Sequence, residues 1–189
     1  MPTEQQKPLA LGSPLPGGRL LDPASGALID VATLAPSAGL LVMVICNHCP
    51  YVKHIRSHLA PFAARYAPSG IQALAVSGND PDVYPEDAPD ALVREARVLG
   101  FGFPYLYDET QDFLRSLHAA CTPELFLFDG ERKLFYCGRF DGSSPGNRIP
   151  VTGDMLGAAC DRLLRGENPP SRQLPAIGCS IKWRSVTSH

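Results

Sequence analysis

The feature that most constrains this chain is a pair of cysteines, Cys46 and Cys49, which directly follows an apolar run over residues 39–45. A continuous apolar run of this kind predicts a strand that is buried on both faces of a sheet. Pro50 follows the second cysteine, and proline is favoured in the first turn of a helix. The two cysteines are therefore expected where a buried strand ends and a helix begins.

The spacing of these cysteines has a chemical consequence. Two intervening residues let the two sulfur atoms approach bonding distance. The helix N-terminus offers unpaired N–H groups and partial positive charge, which favour a thiolate over a thiol. We therefore interpret Cys46 and Cys49 as a redox-active pair that needs no cofactor beyond its own disulfide. His48 lies between them, and its protonated form would stabilise a Cys46 thiolate, so we expect it to tune the pair.

Two other interpretations of the cysteines are weaker. The chain has six cysteines, an even number that would suggest a disulfide framework in a small secreted protein. With 189 residues and no basic-then-apolar leader at its start, this chain does not fit that class. Zinc prefers four ligands, and Cys46, His48 and Cys49 cannot all face one metal ion from a single helical turn. We therefore expect no metal.

Composition restricts the remaining possibilities. A content of 44% hydrophobic and 19% charged residues suits one domain over residues 1–189. A net charge of −2 gives no reason to expect nucleic acid or an anionic membrane as a partner. The longest apolar run is far shorter than a membrane span, so we expect a cytoplasmic protein. Residues 1–18 are predicted to form a loose lead-in, and residues 166–189 a tail that docks through Trp183.

The order of predicted elements indicates an α/β fold. Strands alternate with helices up to about residue 118, and an antiparallel hairpin and a last helix follow. This order predicts a central mixed β-sheet flanked by helices, with a hairpin at the N-terminal end. The predicted elements are strands at 19–22, 27–30, 39–45, 71–77, 104–107, 124–128 and 133–138, and helices at 50–66, about 88–99, 110–118 and 152–164.

The chain resembles proteins of the thioredoxin-like superfamily. In that superfamily a Cys-x-x-Cys motif at the start of a helix is followed, later in the chain, by a Thr-Pro pair and then by a strand, a turn and a second strand. The longer insertion before Thr122-Pro123 is similar to one bacterial branch, the alkyl hydroperoxide reductase/thiol-specific antioxidant (AhpC/TSA) proteins. That branch is related to membrane-tethered reductants of cytochrome maturation and to peroxiredoxins. Its Cys-Asn-His-Cys-Pro-Tyr-Val-Lys and Gly-Cys-x-Ile-Lys-Trp motifs appear at residues 46–53 and 178–183.

The resemblance implies roles for particular residues. Cys46 would be the exposed attacking thiolate, and Cys49 the buried resolving thiol. Pro123 would follow a cis bond and face the cysteine pair, while the backbone of Thr122 would pair with a bound substrate segment. The implied partners are a protein disulfide or a small thiol, together with an upstream thiol reductase.

The sequence also departs from related proteins. Thioredoxin has a buried acid in the strand before its dithiol, whereas residues 40–45 contain none, so the base that deprotonates Cys49 is missing. A peroxiredoxin has Thr or Ser three residues before its reactive cysteine, where this chain has Met43. We therefore predict a thiol–disulfide oxidoreductase. A thiol-dependent peroxidase and a redox-sensing or metal-binding module remain the alternatives.

The remaining cysteines, histidines and acidic residues are expected to have no chemical role, with two exceptions. Cys121 stands two residues before Pro123 and is a candidate third thiol of the site, and Cys179 in the tail is a weaker one. Cys137 and Cys160 are expected in the core. His54 and His58 are read as ordinary surface histidines, and the acidic loop over residues 80–90 as solvated.

Overall fold

The fold is built on a seven-stranded mixed sheet with helices on both faces, seen in a computed structural model that describes residues 8–34 and 37–184. The spatial order of the strands is β2-β1-β5-β4-β3-β7-β8. Neighbours β3, β4 and β5 are parallel, and all other pairs are antiparallel. These strands are β1 (Arg19–Asp22), β2 (Ala27–Asp30), β3 (Gly39–Val44), β4 (Ile71–Ser77), β5 (Tyr105–Tyr107), β7 (Glu124–Asp129) and β8 (Leu134–Gly138).

Strand β3 lies at the centre and is buried at every position. Because side chains alternate along a strand, its residues divide between two core layers. Leu41 and Met43 enter one layer, and Leu40, Val42 and Val44 enter the other. The continuous apolar run of the sequence is thus explained by burial on both faces, as predicted.

Four helices cover the sheet. Helices α1 (Pro50–Tyr66), α2 (Pro89–Val98) and α4 (Asp154–Leu164) contribute apolar side chains to the layer that contains Met43. Helix α3 (Asp112–Ser116) packs Phe113 and Leu114 into the opposite layer. The thioredoxin-like fold class, with its N-terminal hairpin and an insertion of α2, β5 and α3 before the cis-proline, is confirmed.

A second, two-stranded sheet lies beside the main one. Strand β6 (Cys121–Thr122) pairs antiparallel with β9 (Cys179–Ser180), so that the C-terminal tail returns to the body of the protein. Ile181 is buried in the core, and Trp183 lies partly buried against the same layer beneath the Arg115 guanidinium.

The prediction of a loose lead-in is wrong for the part of it that the structure describes. Residues 12–15 exchange backbone hydrogen bonds of 2.8 Å with Arg132 and Leu134 at the edge of the sheet. Residues 1–7 of the lead-in and 185–189 of the tail lie outside the described residues. In the part of the chain that is described, no helix is long and apolar enough to cross a membrane.

Candidate active site

The cysteine pair occupies the loop between β3 and α1. Cys46 follows the end of β3 after Ile45, whose N–H still bonds to the carbonyl of Val76 in β4 at 3.0 Å. Cys49 is the N-cap of α1, with Pro50 in the first turn. Cys49, rather than Cys46, therefore stands directly at the positive end of the helix.

Thr122 and Pro123 face this loop from the opposite side of the site. The Thr122–Pro123 bond is cis, as predicted. The Thr122 hydroxyl lies 3.3 Å from the Cys46 sulfur, and its carbonyl oxygen lies 3.1 Å from the Cys49 sulfur. One residue thus contacts both members of the pair, although 73 positions separate it from Cys49.

The expectation that Cys46 is exposed is wrong. Its exposed fraction is 1%, and that of Cys49 is 0%. Besides Thr122, the loop that carries Asp87 lies close to Cys46, whose sulfur is within 4.8 Å of an Asp87 carboxylate oxygen. The motif alone could not reveal this because the covering residues come from distant segments of the chain.

The two thiols lose their protons as a coupled pair. The Cys46 thiol donates a hydrogen bond to Cys49, and this bond, burial and the charge of Asp87 raise the pKa of Cys46. Accepting that bond, helped by further bonds from Cys179 and the backbone of Val52, lowers the pKa of Cys49 to about 4. The first proton is therefore lost easily and the second is held. Once the first proton is lost, the pair carries one negative charge and one remaining proton.

His48 is turned towards a buried carboxylate. Its Nδ1 lies 2.5 Å from an oxygen of Asp87, and its ring stacks on Tyr84 with a centroid separation of 4.1 Å. Any positive charge on His48 is thus paired first with Asp87. Its predicted influence on the cysteines would act through this pair, because the carboxylate raises the pKa of Cys46.

Asp87 is the residue that the sequence analysis missed. The acidic loop was expected to be solvated, yet the exposed fraction of Asp87 is 0%. Its carboxylate accepts hydrogen bonds from the backbone N–H groups of Asn47 and His48, from the His48 ring and from the Asn79 amide. Asn47, a polar residue inside the cysteine motif, was the one sequence signal for a contact with this loop. Its side-chain amide donates a hydrogen bond to the Glu86 carbonyl at 2.8 Å.

Asn79 connects this loop to the tail. Its amide nitrogen donates to Asp87 at 2.8 Å, and its amide oxygen accepts from the N–H of Lys182 at 2.9 Å. Like Asp87 it is a buried polar residue, and it lies directly before the loop that was expected to be solvated.

One group in the described part of the chain has the composition of a metal site. Potential ligand atoms of Cys46, His48 and Asp87 lie within 4.8 Å of one another, a set that the sequence spacing did not suggest. The fit to zinc is poor, because three donors are fewer than the usual four and the His48 and Asp87 atoms already bond to each other. His54 and His58 join no such group among the described residues.

The other predicted residues are placed as follows. Cys121 is partly buried, and burial raises its pKa to about 12. Its sulfur lies 4.0 Å from the Pro123 carbonyl oxygen. Cys160 is fully buried in α4, as a core residue should be, whereas Cys137 is only partly buried and lies 3.6 Å from a carboxylate oxygen of Glu124.

A dithiol at the end of a central strand, opposite a cis-proline on a mixed sheet, defines the thioredoxin-like class of proteins. The chain belongs to the AhpC/TSA family, whose family model matches residues 14–137. No curated protein matches the chain.

Solved structures agree with this assignment. An uncharacterised conserved protein from Geobacillus kaustophilus is 43% identical, with a TM-score of 0.90 and coverage of 93% of both chains. A hypothetical protein from Sinorhizobium meliloti 1021 is 41% identical with a TM-score of 0.91, covering 95% of this chain and 97% of its own. A putative thiol:disulfide interchange protein DsbE from Chlorobium tepidum shares the fold at 17% identity, with a TM-score of 0.64 and coverage of 82% and 99%.

Proposed function

We propose that this protein is a cytoplasmic thiol–disulfide oxidoreductase that acts through Cys46 and Cys49. Cys46 attacks a substrate disulfide, so that a Cys46–substrate bond forms and one substrate thiolate leaves. Cys49 then attacks the Cys46 sulfur, forms the Cys46–Cys49 disulfide and releases the second substrate thiolate. The protein is oxidised by two electrons and the substrate disulfide is reduced by two. An upstream thiol reductase in the cytoplasm would restore the dithiol.

The observation that supports this proposal most directly is the position of Thr122, which precedes the cis bond to Pro123 and contacts the sulfur atoms of both Cys46 and Cys49. Because the pair already carries one negative charge, Cys46 becomes the thiolate when the remaining proton moves to Cys49. The Thr122 hydroxyl, 3.3 Å away, can donate to the Cys46 thiolate. We assign the attack to Cys46 because it lies outside α1, whereas Cys49 is the N-cap of that helix and contacts the Thr122 carbonyl. Since both sulfur atoms are buried, the attack requires the covering segments to move.

The resolving step also has a physical basis. Once Cys46 is bound to substrate it no longer donates to Cys49, and the largest cause of the low Cys49 pKa is lost. The hydrogen bonds from Cys179 and from the Val52 backbone remain and continue to favour the Cys49 thiolate. Cys49 therefore keeps part of its acidity at the moment when it has to attack.

A trapping experiment tests the two roles. The reduced Cys49→Ala variant is incubated with oxidised glutathione and should accumulate a Cys46–glutathione disulfide, because the resolving thiol is missing. The Cys46→Ala variant should accumulate none at Cys49. Intact-mass and peptide mass spectrometry measure both. The Cys160→Ala variant, which removes a buried thiol of α4 outside the loop that carries the pair, should turn over like the wild type.

The opposite pattern would reverse the assignment of the two cysteines. If Cys46→Ala trapped glutathione at Cys49 and Cys49→Ala did not, Cys49 would be the attacking residue. If neither variant formed a mixed disulfide, the oxidoreductase proposal would be lost.

A peroxidase is the second candidate, and the Thr122 hydroxyl favours it. A hydroxyl 3.3 Å from the Cys46 sulfur could hold a peroxide oxygen, the task of the Thr that the sequence lacks at position 43. Cys46 would take one oxygen from a hydroperoxide to become sulfenic acid, releasing an alcohol, and Cys49 would displace water to form the disulfide.

Stopped-flow mixing of the reduced protein with hydrogen peroxide separates the two candidates. We expect a rate constant no greater than that of free cysteine at the same pH. The Thr122→Val variant supplies the comparison: its reactions with peroxide and with oxidised glutathione should slow by the same factor, because the hydroxyl supports the Cys46 thiolate in both. A fast wild-type reaction with peroxide that Thr122→Val slows more than the glutathione reaction would favour the peroxidase instead.

A further inference from the structure

The C-terminal tail lies where a substrate segment was expected. Residue Thr122, whose backbone was predicted to pair with substrate, pairs instead with Cys179 in β9, and Cys121 pairs with Ser180. Gly178 makes this approach possible, because a Cβ at position 178 would lie 1.9 Å from the Thr122 carbonyl oxygen. No residue with a side chain fits there without moving the tail.

The tail is fixed on both sides of Cys179. Before it, the Arg139 guanidinium donates to the Pro175 carbonyl at 2.7 Å. After it, the Gln111 amide donates to the Lys182 carbonyl at 3.0 Å and accepts from the Arg184 N–H at 2.8 Å. Ile181 is buried with an exposed fraction of 4%. Cys179 is therefore held in register with Thr122.

This register brings a third sulfur to the pair. Side chains of directly opposed residues in an antiparallel pair lie side by side. The Cys49 sulfur lies 3.1 Å from the carbonyl of Thr122, which is the partner of Cys179. The hydroxyl of Thr122, the residue directly opposite Cys179, lies 3.3 Å from the Cys46 sulfur, and Cys179 is close enough to Cys49 for each thiol to shift the pKa of the other. Unlike Cys46 and Cys49, Cys179 is partly open to solvent.

We propose that Cys179 is a third redox thiol, which takes over the disulfide from Cys46. The proposal rests on the Cys46–Cys49 chemistry proposed above. The Cys179 thiolate attacks the Cys49 sulfur of the Cys46–Cys49 disulfide; the Cys49–Cys179 bond forms and the Cys46–Cys49 bond breaks. The electron pair leaves on Cys46, which takes up a proton in place of the one that Cys179 released. This step is an isomerisation and consumes no further oxidant, since the substrate disulfide has already removed two electrons.

The electrostatics of the three sulfurs are compatible with this order of events. Burial and the hydrogen bond to Cys49 raise the pKa of Cys179 to about 11 in the reduced protein. When Cys49 is in a disulfide it carries no charge, so its contribution to that rise disappears. Cys179 is therefore a better nucleophile in the oxidised protein than in the reduced one.

The exchange would solve a problem of access. With exposed fractions of 1% and 0%, Cys46 and Cys49 are closed to a protein reductant unless the covering segments move. A Cys49–Cys179 disulfide presents the partly exposed Cys179 sulfur to that reductant. The tail would then occupy the place of a substrate strand on β6 and transfer the disulfide to a sulfur atom that is accessible from solvent.

Disulfide mapping of the full chain tests the proposal. The reduced protein is oxidised with one equivalent of diamide, quenched in acid, alkylated and digested with trypsin. Cys46 and Cys49 share the peptide over residues 20–53, whereas Cys179 lies in the peptide over residues 173–182. We expect both the internal Cys46–Cys49 disulfide and a cross-linked pair of these peptides joined at Cys49. The cross-link should be lost in Cys179→Ser and kept in the control Cys160→Ser.

The variants separate a failure of this proposal from a failure of the proposed function. In Cys46→Ser, which has no Cys46–Cys49 disulfide to compete, diamide should join Cys49 to Cys179. One outcome would contradict the third-thiol proposal alone: the wild type forms the Cys46–Cys49 disulfide, but Cys179 is fully alkylated both in the wild type and in Cys46→Ser. The proposed oxidoreductase function would then be retained. A cross-link to Cys121, in the peptide over residues 116–132, would likewise overturn the third-thiol proposal. If Cys46, Cys49 and Cys179 all remain fully alkylated after diamide treatment, both proposals fall.

Discussion

Replacing Asp87 with alanine should lower the free energy of unfolding by about 3 kcal/mol, since breaking a buried, charged hydrogen-bond network has costs of that order. The substitution leaves the N–H groups of Asn47 and His48, the His48 ring and the Asn79 amide without their common acceptor. The measurement is equilibrium denaturation in urea of the reduced protein.

Asp82 provides the matched control, because it lies in the same loop but is exposed. Asp82→Ala should change the free energy of unfolding by less than about 0.5 kcal/mol, as is usual for a surface substitution. A loss for Asp87→Ala as small as that for Asp82→Ala would show that the loop is not held by its carboxylate.

The second large effect is expected on the acidity of the cysteine pair. Removing Cys46 as Cys46→Ala deletes the hydrogen bond that contributes most to the low pKa of Cys49. In the wild type the Cys49 thiolate should titrate near pH 4. In the variant the pKa of Cys49 should rise towards the ordinary thiol value of about 8.5. Ultraviolet thiolate absorbance of the reduced proteins as a function of pH measures this shift.

The same shift predicts how stability depends on pH. Between pH 4 and 9.0 the folded protein has released a proton from Cys49 that the unfolded chain retains. The reduced wild type should therefore gain stability as the pH rises from about 4 towards 9.0, and lose this contribution as the pH falls through the folded pKa. The raised pKa of Cys46 acts in the opposite direction, and only above 9.0.

Cys160→Ala is the control for both measurements, since burial raises the pKa of Cys160 to about 12 and it contributes no thiolate in this range. It should titrate like the wild type. If Cys46→Ala also kept a midpoint near 4, the helix N-terminus and Cys179, rather than Cys46, would be the source of the Cys49 acidity.

The fold could be predicted because its signals are local. The apolar run of β3, the 3–4 spacing of apolar residues in α1 and the Asp129-Gly130 turn each define their element from neighbouring residues. The cysteine pair and the cis-proline were recognisable for the same reason, since each is carried by a short motif.

The covering of the site could not be predicted, because it depends on contacts between distant segments. Asp87 is acidic and close to three prolines, which is the usual composition of a solvated loop. Its burial is tolerated only because donors from Asn47, His48 and Asn79 converge on it. Likewise, the proximity of Cys179 to Cys49 follows from the register of β9 on β6, which the sequence of the tail does not specify.

Asn79 has a consequence for how the site opens. Its single amide group binds Asp87 of the loop through one end and Lys182 of the tail through the other. Displacing either segment leaves a buried half of that amide without a partner, so the loss of one contact weakens the other. The loop that carries Asp87 and the C-terminal tail should therefore move away from the dithiol cooperatively. A substrate that displaces the tail would also weaken the position of the Asp87 carboxylate beside Cys46.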